Sequence, residues 1–241
     1  MSTVEEFYNR QWSSSSERRE AILFLAMMKR AIRYSYRLLG KVNGKKMLEI
    51  GCGSGEQAAY FAHQGAQVTA IDISDMSLRH TRELALLEKV SVQTMYMDAQ
   101  NMTFHNNSFD FIYINSTLMH LNHDVVFEEC KRVLKKGGKL VIVEPLDQNL
   151  ILRLFRRFSV YRQMNPRYMN LPAFKKYASW FSLFTHREFY FISVMVLPIF
   201  TLFPFPGLGL WRISSVMDRA LLRAFPELGP WCWVSVVEYQ K

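Results

Sequence analysis

Leu48-Glu49-Ile50-Gly51-Cys52-Gly53-Ser54-Gly55 is a short apolar run that passes straight into a glycine-rich turn and then into a helical stretch. Glycines permit positive φ and let the backbone approach a ligand with no Cβ in the way, while the first N–H groups of the next helix point outward as anchors. Such a turn at a strand's carboxyl end suits a nucleotide-type ligand. Val68-Thr69-Ala70-Ile71-Asp72 is a second apolar run, ending in a carboxylate at the spacing where a ribose with two hydroxyls is gripped. The spacing alone also admits a nicotinamide dinucleotide. Position 56, however, is Glu where a GxGxxG fingerprint has glycine, and Glu49 sets an acid in the strand just before the turn. A pyrophosphate would be repelled by these neighbours, a sulfonium-bearing amino acid would not.

Outward from the turn, apolar runs at 47–51, 67–72, 90–97, 109–115 and 139–144 alternate with helical stretches at about 56–64, 75–88 and 123–135. Ser74 reads as the N-cap of the second helix, and Gly137-Gly138 as the end of the third. This alternation predicts an α/β, doubly wound, mostly parallel Rossmann-like sheet. Upstream, Ser14 and Glu17 are spaced as a capping box for a helix whose apolar Ile22, Leu25, Met28, Ile32, Tyr36 and Leu39 share one face up to Gly40. Downstream of Pro145 the regularity breaks. An amphipathic helix over Asn149–Phe158 sets Leu150, Leu154 and Phe155 against Arg153, Arg156 and Arg157, and irregular helices follow. A strand is expected at about Phe189–Val196, a helix near Ser214–Phe225 and a last strand at about Trp231–Tyr239, the two late strands making an antiparallel edge. The expected organisation is one domain: 1–44 a helical cap, 45–145 a cofactor-binding core, 146–188 a helical insertion after strand 5, and 189–241 the last two strands with an apolar excursion.

The chain has 241 residues, 49% of them hydrophobic and 14% aromatic, with 18 Phe and 13 Met, so a bulky core or an apolar surface for a ligand or a membrane is implied. Cys52, Cys130 and Cys232 form neither a CxxC pair nor a metal-ligand spacing with histidines, which fits a reducing cytoplasm and argues for no metal. The polar, acidic start of the chain does not read as a secretion signal. The net charge of +9 is concentrated between Gln148 and Arg187, which contain no acid. That basic stretch reads either as a solvated face or as a site for anionic lipid, an acidic partner or nucleic acid. The run from Phe189 to Trp211 carries no charge and is long enough to span a bilayer as a helix. Pro198, Pro204 and Pro206 with Gly207 and Gly209 argue against that, leaving an interfacial or lid role for 197–211 open.

Five motifs in order make the pattern resemble the class I S-adenosylmethionine-dependent methyltransferase family, near its small-molecule branch of ubiquinone and menaquinone methyltransferases. They are the glycine turn, Asp72, Asp98-Ala99, the run Phe109–Asn115, and Arg132–Leu140 leading into the fifth strand. The resemblance covers roughly 45–145. It implies that Glu49, Gly51, Gly53 and Gly55 hold the methionine part of S-adenosyl-L-methionine, Asp72 the ribose, and Asp98 with Ala99 the adenine edge, with Ile73 also a cofactor-binding residue. Asn115 would lie under the methionine part. Asp98 also reads as a turn residue, and Asn115 as a loop amide.

Methyl transfer from a sulfonium is an in-line displacement, and an oxygen or carbon acceptor must also lose a proton. Leu118-Met119-His120-Leu121 resembles the family's Leu-His-His-Leu with only the second histidine kept, which makes His120 the candidate base; it reads equally as a packing and capping histidine. Tyr8, Trp12, Tyr161 and His186 are further candidates to line the acceptor side. Asn115-Ser116-Thr117-Leu118 is not the Pro-Pro-aromatic motif of amino-methylating nucleic-acid enzymes, so nucleic acid is not supported. A small apolar acceptor of quinone, lipid or polyketide type is expected, with an anionic membrane surface or an acidic carrier protein as further partners. The other class is a methyltransferase-fold cyclase or a non-methylating cofactor-binding protein.

Overall fold

The computed structural model describes residues 3–13, 26–157, 162, 164–196 and 204–241. Seven strands, β1 (Lys46–Ile50), β2 (Gln67–Asp72), β3 (Val92–Tyr96), β4 (Phe109–Asn115), β5 (Leu134–Pro145), β6 (Leu183–Phe189) and β7 (Val234–Gln240), form one sheet in the order β3-β2-β1-β4-β5-β7-β6. The first five run parallel; β7 is antiparallel to β5 and to β6, which pairs outside it. This is the doubly wound sheet with an antiparallel edge that the alternation predicts.

Each central strand feeds two cores. In β4, Ile112 and Ile114 belong to one apolar cluster and Tyr113 to the other; in β5, Leu140 and Ile142 oppose Val141 and Val143. Period-two alternation of apolar residues on both sides is possible only where helices cover both faces. Helices α1 (Thr3–Ser13), α2 (Lys29–Leu39), α3 (Glu56–His63), α4 (Asp75–Leu87), α5 (His123–Val133), α6 (Leu150–Arg157), α7 (Leu171–Lys176) and α8 (Pro204–Ala224) make up the described helical set. Met28, Ile32 and Phe61, from and beside α2 and α3, pack in the first core, and Val126, Phe127 and Cys130 of α5 in the second. Ser74 caps α4, its side chain accepting from Ser77 N at 3.1 Å, as the sequence predicts.

Four expectations change. β6 lies at Leu183–Phe189, inside the stretch expected to be helical insertion, and not at Phe189–Val196. Pairing against β7 recruits these polar residues, whereas the apolar stretch turns inward at Tyr190, whose buried hydroxyl accepts from Arg30 N and Ala31 N. β5 begins at Leu134 and not at 139, because Leu134 pairs with Phe109 ahead of a register shift in which the extra residues lie in β5, and α5 therefore ends at Val133. α8 begins at Pro204, ten residues before the expected start. Its two prolines sit in the first turn, where no intrahelical N–H is required. Gly137 and Gly138, expected to end the third helix, lie within β5 instead, whereas α1 falls in the segment 1–44 expected as a helical cap.

The continuation of α2 toward Ser14 and Glu17, with Ile22 and Leu25, lies outside the described residues, as do Tyr161 and 197–203. Gly40 ends α2 with φ +71°. Among the described residues no helix is long and apolar enough to cross a membrane, so the spanning reading of Phe189–Trp211 finds no support in any of them.

Candidate active site

Gly51, Gly53 and Gly55 all adopt positive φ (74°, 50° and 80°), and close packing explains why two of them cannot carry a side chain. A Cβ on Gly51 would lie 2.2 Å from Thr117 Oγ1, and one on Gly55 2.6 Å from the Thr81 Cα. The turn is thus wedged between the loop after β4 and helix α4. Asp72, at the end of β2, ties to it: one carboxylate oxygen accepts from Gly53 N at 3.1 Å and the other from Ser74 N at 2.9 Å.

Glu49 lies fully inside the protein beneath the turn. Burial first, then the nearby charge of Asp72, pushes its carboxyl well above the usual range, against an N–H bond from Ala58. Burial likewise raises Asp72. Glu49 Oε2 has no hydrogen-bond partner among the described residues. Two carboxylates crowded together with an unsatisfied buried oxygen are costly unless a cation and donors arrive to meet them.

The loop after β4 is held by an acid that sequence reading did not place in the site. Glu144, buried in β5, accepts from the backbone N–H groups of Thr117, Leu118 and Met119 at 3.2, 3.3 and 3.2 Å. Its burial outweighs those bonds and pushes it up to about 8. This anchor folds Leu118–His120 into a single 3-10 turn and presents His120. His120 Nε2 and the Tyr8 hydroxyl share a hydrogen bond of 2.9 Å, with the rings edge to face, while Nδ1 is buried without a partner among the described residues. Burial holds the imidazole down to about 4.

Helix α1 closes this arrangement. Tyr8 meets His120, Asn9 Oδ1 accepts from Ser74 Oγ at 2.8 Å and Met76 N at 3.3 Å, and the Trp12 carbonyl bonds His80 at 2.8 Å. The Trp12 ring stands over Gly53, 3.2 Å from where a Cβ would be. Trp12 Nε1 is another buried atom with no partner among the described residues. Unsatisfied atoms of Trp12, Glu49 and His120 therefore gather around one glycine turn at the carboxyl edge of the parallel strands, where ligands bind in open α/β sheets.

A model of the methyltransferase domain matches residues 48–142. That segment belongs to the class I S-adenosylmethionine-dependent methyltransferase family. The ubiquinone/menaquinone biosynthesis C-methyltransferase UbiE of Cupriavidus metallidurans is 33% identical to the methyltransferase segment over 105 residues, which is 42% of this chain and 43% of that protein. The matched stretch spans under half the length of the curated relatives. Geranyl diphosphate C-methyltransferase from Streptomyces coelicolor A3(2) shares the fold with TM-score 0.64 at 13% identity, covering 95% of this chain and 85% of that one. The [4+2]-cyclase SpnF does so with TM-score 0.58 at 18% identity, over 87% and 80%.

The donor set of the methyltransferase domain fits the family's cofactor: S-adenosylmethionine carries two positive centres, which the buried Glu49 and Asp72 lack among the described side chains. Glu49, Gly53, Asp72 and Ile73 lie together at the carboxyl ends of β1 and β2. Asp98 and Ala99 follow β3, whose Tyr96 is in register with Asp72. The Asp98 side chain is exposed and accepts from Gln100 N at 2.9 Å, so it does close a turn, and Gln100 in turn accepts from Asn122 N at 2.9 Å. Asn115 Oδ1 accepts from Ser116 Oγ at 3.2 Å, a local bond that fits the loop-amide reading and leaves its amide nitrogen available. His186 is not brought in: it sits exposed on the far edge strand, bonded to Glu188 at 2.7 Å. Thr117 and Glu144 were missed as site residues because nothing in their local sequence marks a contact made across strands.

Proposed function

We propose that the chain transfers a methyl group from S-adenosylmethionine to oxygen or carbon of a small apolar acceptor of quinone, lipid or polyketide type. One observation carries this reading: the buried pair Glu49 and Asp72, ringed by glycines and without a basic side chain among the causes of their raised titration. The bound cofactor supplies a methyl on sulfonium sulfur, open to in-line attack. Glu49 and the Gly51–Gly55 backbone would meet its amino-acid part, Asp72 its ribose, and Asp98-Ala99 its adenine. α1 excludes water with Trp12 and Tyr8, which favours alignment of donor and acceptor over hydrolysis. When Nε2 donates to the Tyr8 oxygen, His120 Nδ1 carries a free lone pair able to accept the acceptor's proton. The test is transfer of isotope-labelled methyl to a panel of quinols and polyketide phenols; labelling only of polar acceptors would reject the apolar assignment.

The pH dependence separates the roles of His120. An unfolded histidine titrates near 6.5 and the folded one near 4, so the unfolded chain binds the extra proton between these values. Stability is therefore expected to fall as pH drops from about 6.5 to about 4, while the neutral base persists through that window. His120→Ala should lower kcat by about 10²- to 10⁴-fold with cofactor affinity unchanged, and Tyr8→Phe less. Turnover left unchanged in His120→Gln would reject His120 as the base.

The same burial favours a second reading, a methyltransferase-fold cyclase or a protein that binds the cofactor without methylating, because a base held down to about 4 is weak. Fold similarity to a cyclase is consistent with it. Tight S-adenosylmethionine binding with no label transferred to any acceptor would favour this second class.

A further inference from the structure

Beyond the reaction, α6 and α8 share a feature that solvated helices lack. In α8, Trp211, Ser214, Ser215 and Asp218 face the protein, while Leu210, Ile213, Val216 and Met217 face outward. At 100° per residue these outward residues form one stripe, and Arg212, Arg219 and Arg223 line its flank. α6 repeats the arrangement: Leu152 is buried, Leu150, Ile151, Leu154 and Phe155 point out, and Arg153 and Arg157 flank them. Both helices pack against the turn Ser193–Val196, whose Met195 is also exposed, so the two stripes join. The outward apolar side chains of this surface are each 38 to 65% exposed.

The charge on this face is almost all of one sign. Asp218 is turned inward, accepting from Ile192 N and from Ser193. Asp147 pairs with Arg153 at 3.2 Å, and Glu188 accepts from Ser235 and pairs with His186. Glu227, beyond the end of α8, is the remaining exposed acid of these elements. Arg157, Arg212, Arg219 and Arg223 have no carboxylate partner among the described residues. The arginine flank leads into a cavity of about 100 Å³ walled by Arg30, Arg187, Arg219 and Arg223. An apolar stripe with an arginine border matches the boundary between acyl chains and anionic headgroups, where apolar side chains insert and guanidiniums meet phosphate.

We propose that the joined outer faces of α6, Ser193–Val196 and α8 dock the protein on an anionic lipid bilayer. The register places this face at the reacting edge: Pro145, where β5 ends before α6, and Phe189, where β6 ends, both pair with Val234, and Asn115 pairs with Val143 two residues earlier. Docking there sets the site's edge toward the medium in which a lipophilic acceptor dissolves, which rests on the proposed acceptor class; the docking itself does not.

The experiment is flotation of the full chain with vesicles of phosphatidylcholine alone and of phosphatidylcholine with phosphatidylglycerol. Binding is expected to the anionic vesicles only and to weaken with salt. Arg219→Ala with Arg223→Ala should weaken it about thirtyfold. Ile213→Ser with Met217→Ser should weaken it at low and high salt alike, and S-adenosylmethionine titration of every variant should stay as in the parent, showing that fold and cofactor site are intact. Equal binding to neutral vesicles, unaltered binding by the variants, or a soluble dimer that Ile213→Asp dissolves while vesicles are ignored would overturn the proposal. Capture of an acidic carrier protein without vesicle binding would overturn it as well.

Discussion

Asp72→Asn is expected to weaken binding of S-adenosylmethionine by about two orders of magnitude or more, measured by calorimetric titration. The carboxylate is already aligned by Gly53 N and Ser74 N, so its remaining lone pairs are directed and cost little to use. Charge-assisted hydrogen bonds to two ribose hydroxyls contribute roughly 1.5–3 kcal/mol each, which corresponds to about 10²- to 10⁴-fold in affinity. An amide in the same place would turn donors toward the Gly53 N–H. S-adenosylhomocysteine shares the ribose and must weaken to the same extent; a loss confined to one of the two would refute the ribose assignment. NADH should bind neither protein, because Glu49 and Glu56 flank the place its pyrophosphate would take.

The second large effect concerns Gly51. Gly51→Ala should destabilise the protein by about 2–4 kcal/mol in urea unfolding, combining the left-handed backbone cost with overpacking. A flexible neighbour would relieve the clash, but Thr117 cannot swing away easily: its Cβ is itself 2.9 Å from the new carbon, and its N–H is bonded to Glu144. Displacing that loop moves His120, so cofactor affinity and turnover should fall together. Gly137 supplies the control, because its φ of +76° is similar while nothing lies within 4 Å of an added Cβ. Gly137→Ala should cost only the conformational part, about 1–2 kcal/mol. Thr117→Gly in the Gly51→Ala background should recover most of the difference. Equal destabilisation by the two glycine substitutions would show that the contact with Thr117 is not what demands glycine.

The relation between these two positions shows how far local reading reaches. Gly51 and Asp72 are legible because strand, turn and helix follow one another within a few residues and each imposes its own residue type. Thr117 and Glu144 act on the same site from other strands, and neither carries a local signature. The reading of His120 as a possible base was local too, but the burial that holds it near 4 comes from the arrangement around it, including Tyr8 of α1.

Sequence alone determined the alternating β and α elements, the parallel strands through β5, the glycine turn and the carboxylate of Asp72 at the end of β2, since periodicity and steric demands act over short spans. Tertiary structure decided the rest. β6 forms at Leu183–Phe189 because β7 offers it a pairing edge, although the apolar residues after it have the higher strand preference. α8 extends back through its prolines because a first turn needs no N–H, and its outer apolar stripe became visible only once the inward face was known. α1 lies over the turn because Tyr8, Asn9 and Trp12 find partners in loops distant along the chain. Contacts between segments remote in sequence satisfy buried polar groups that no local pattern can pair.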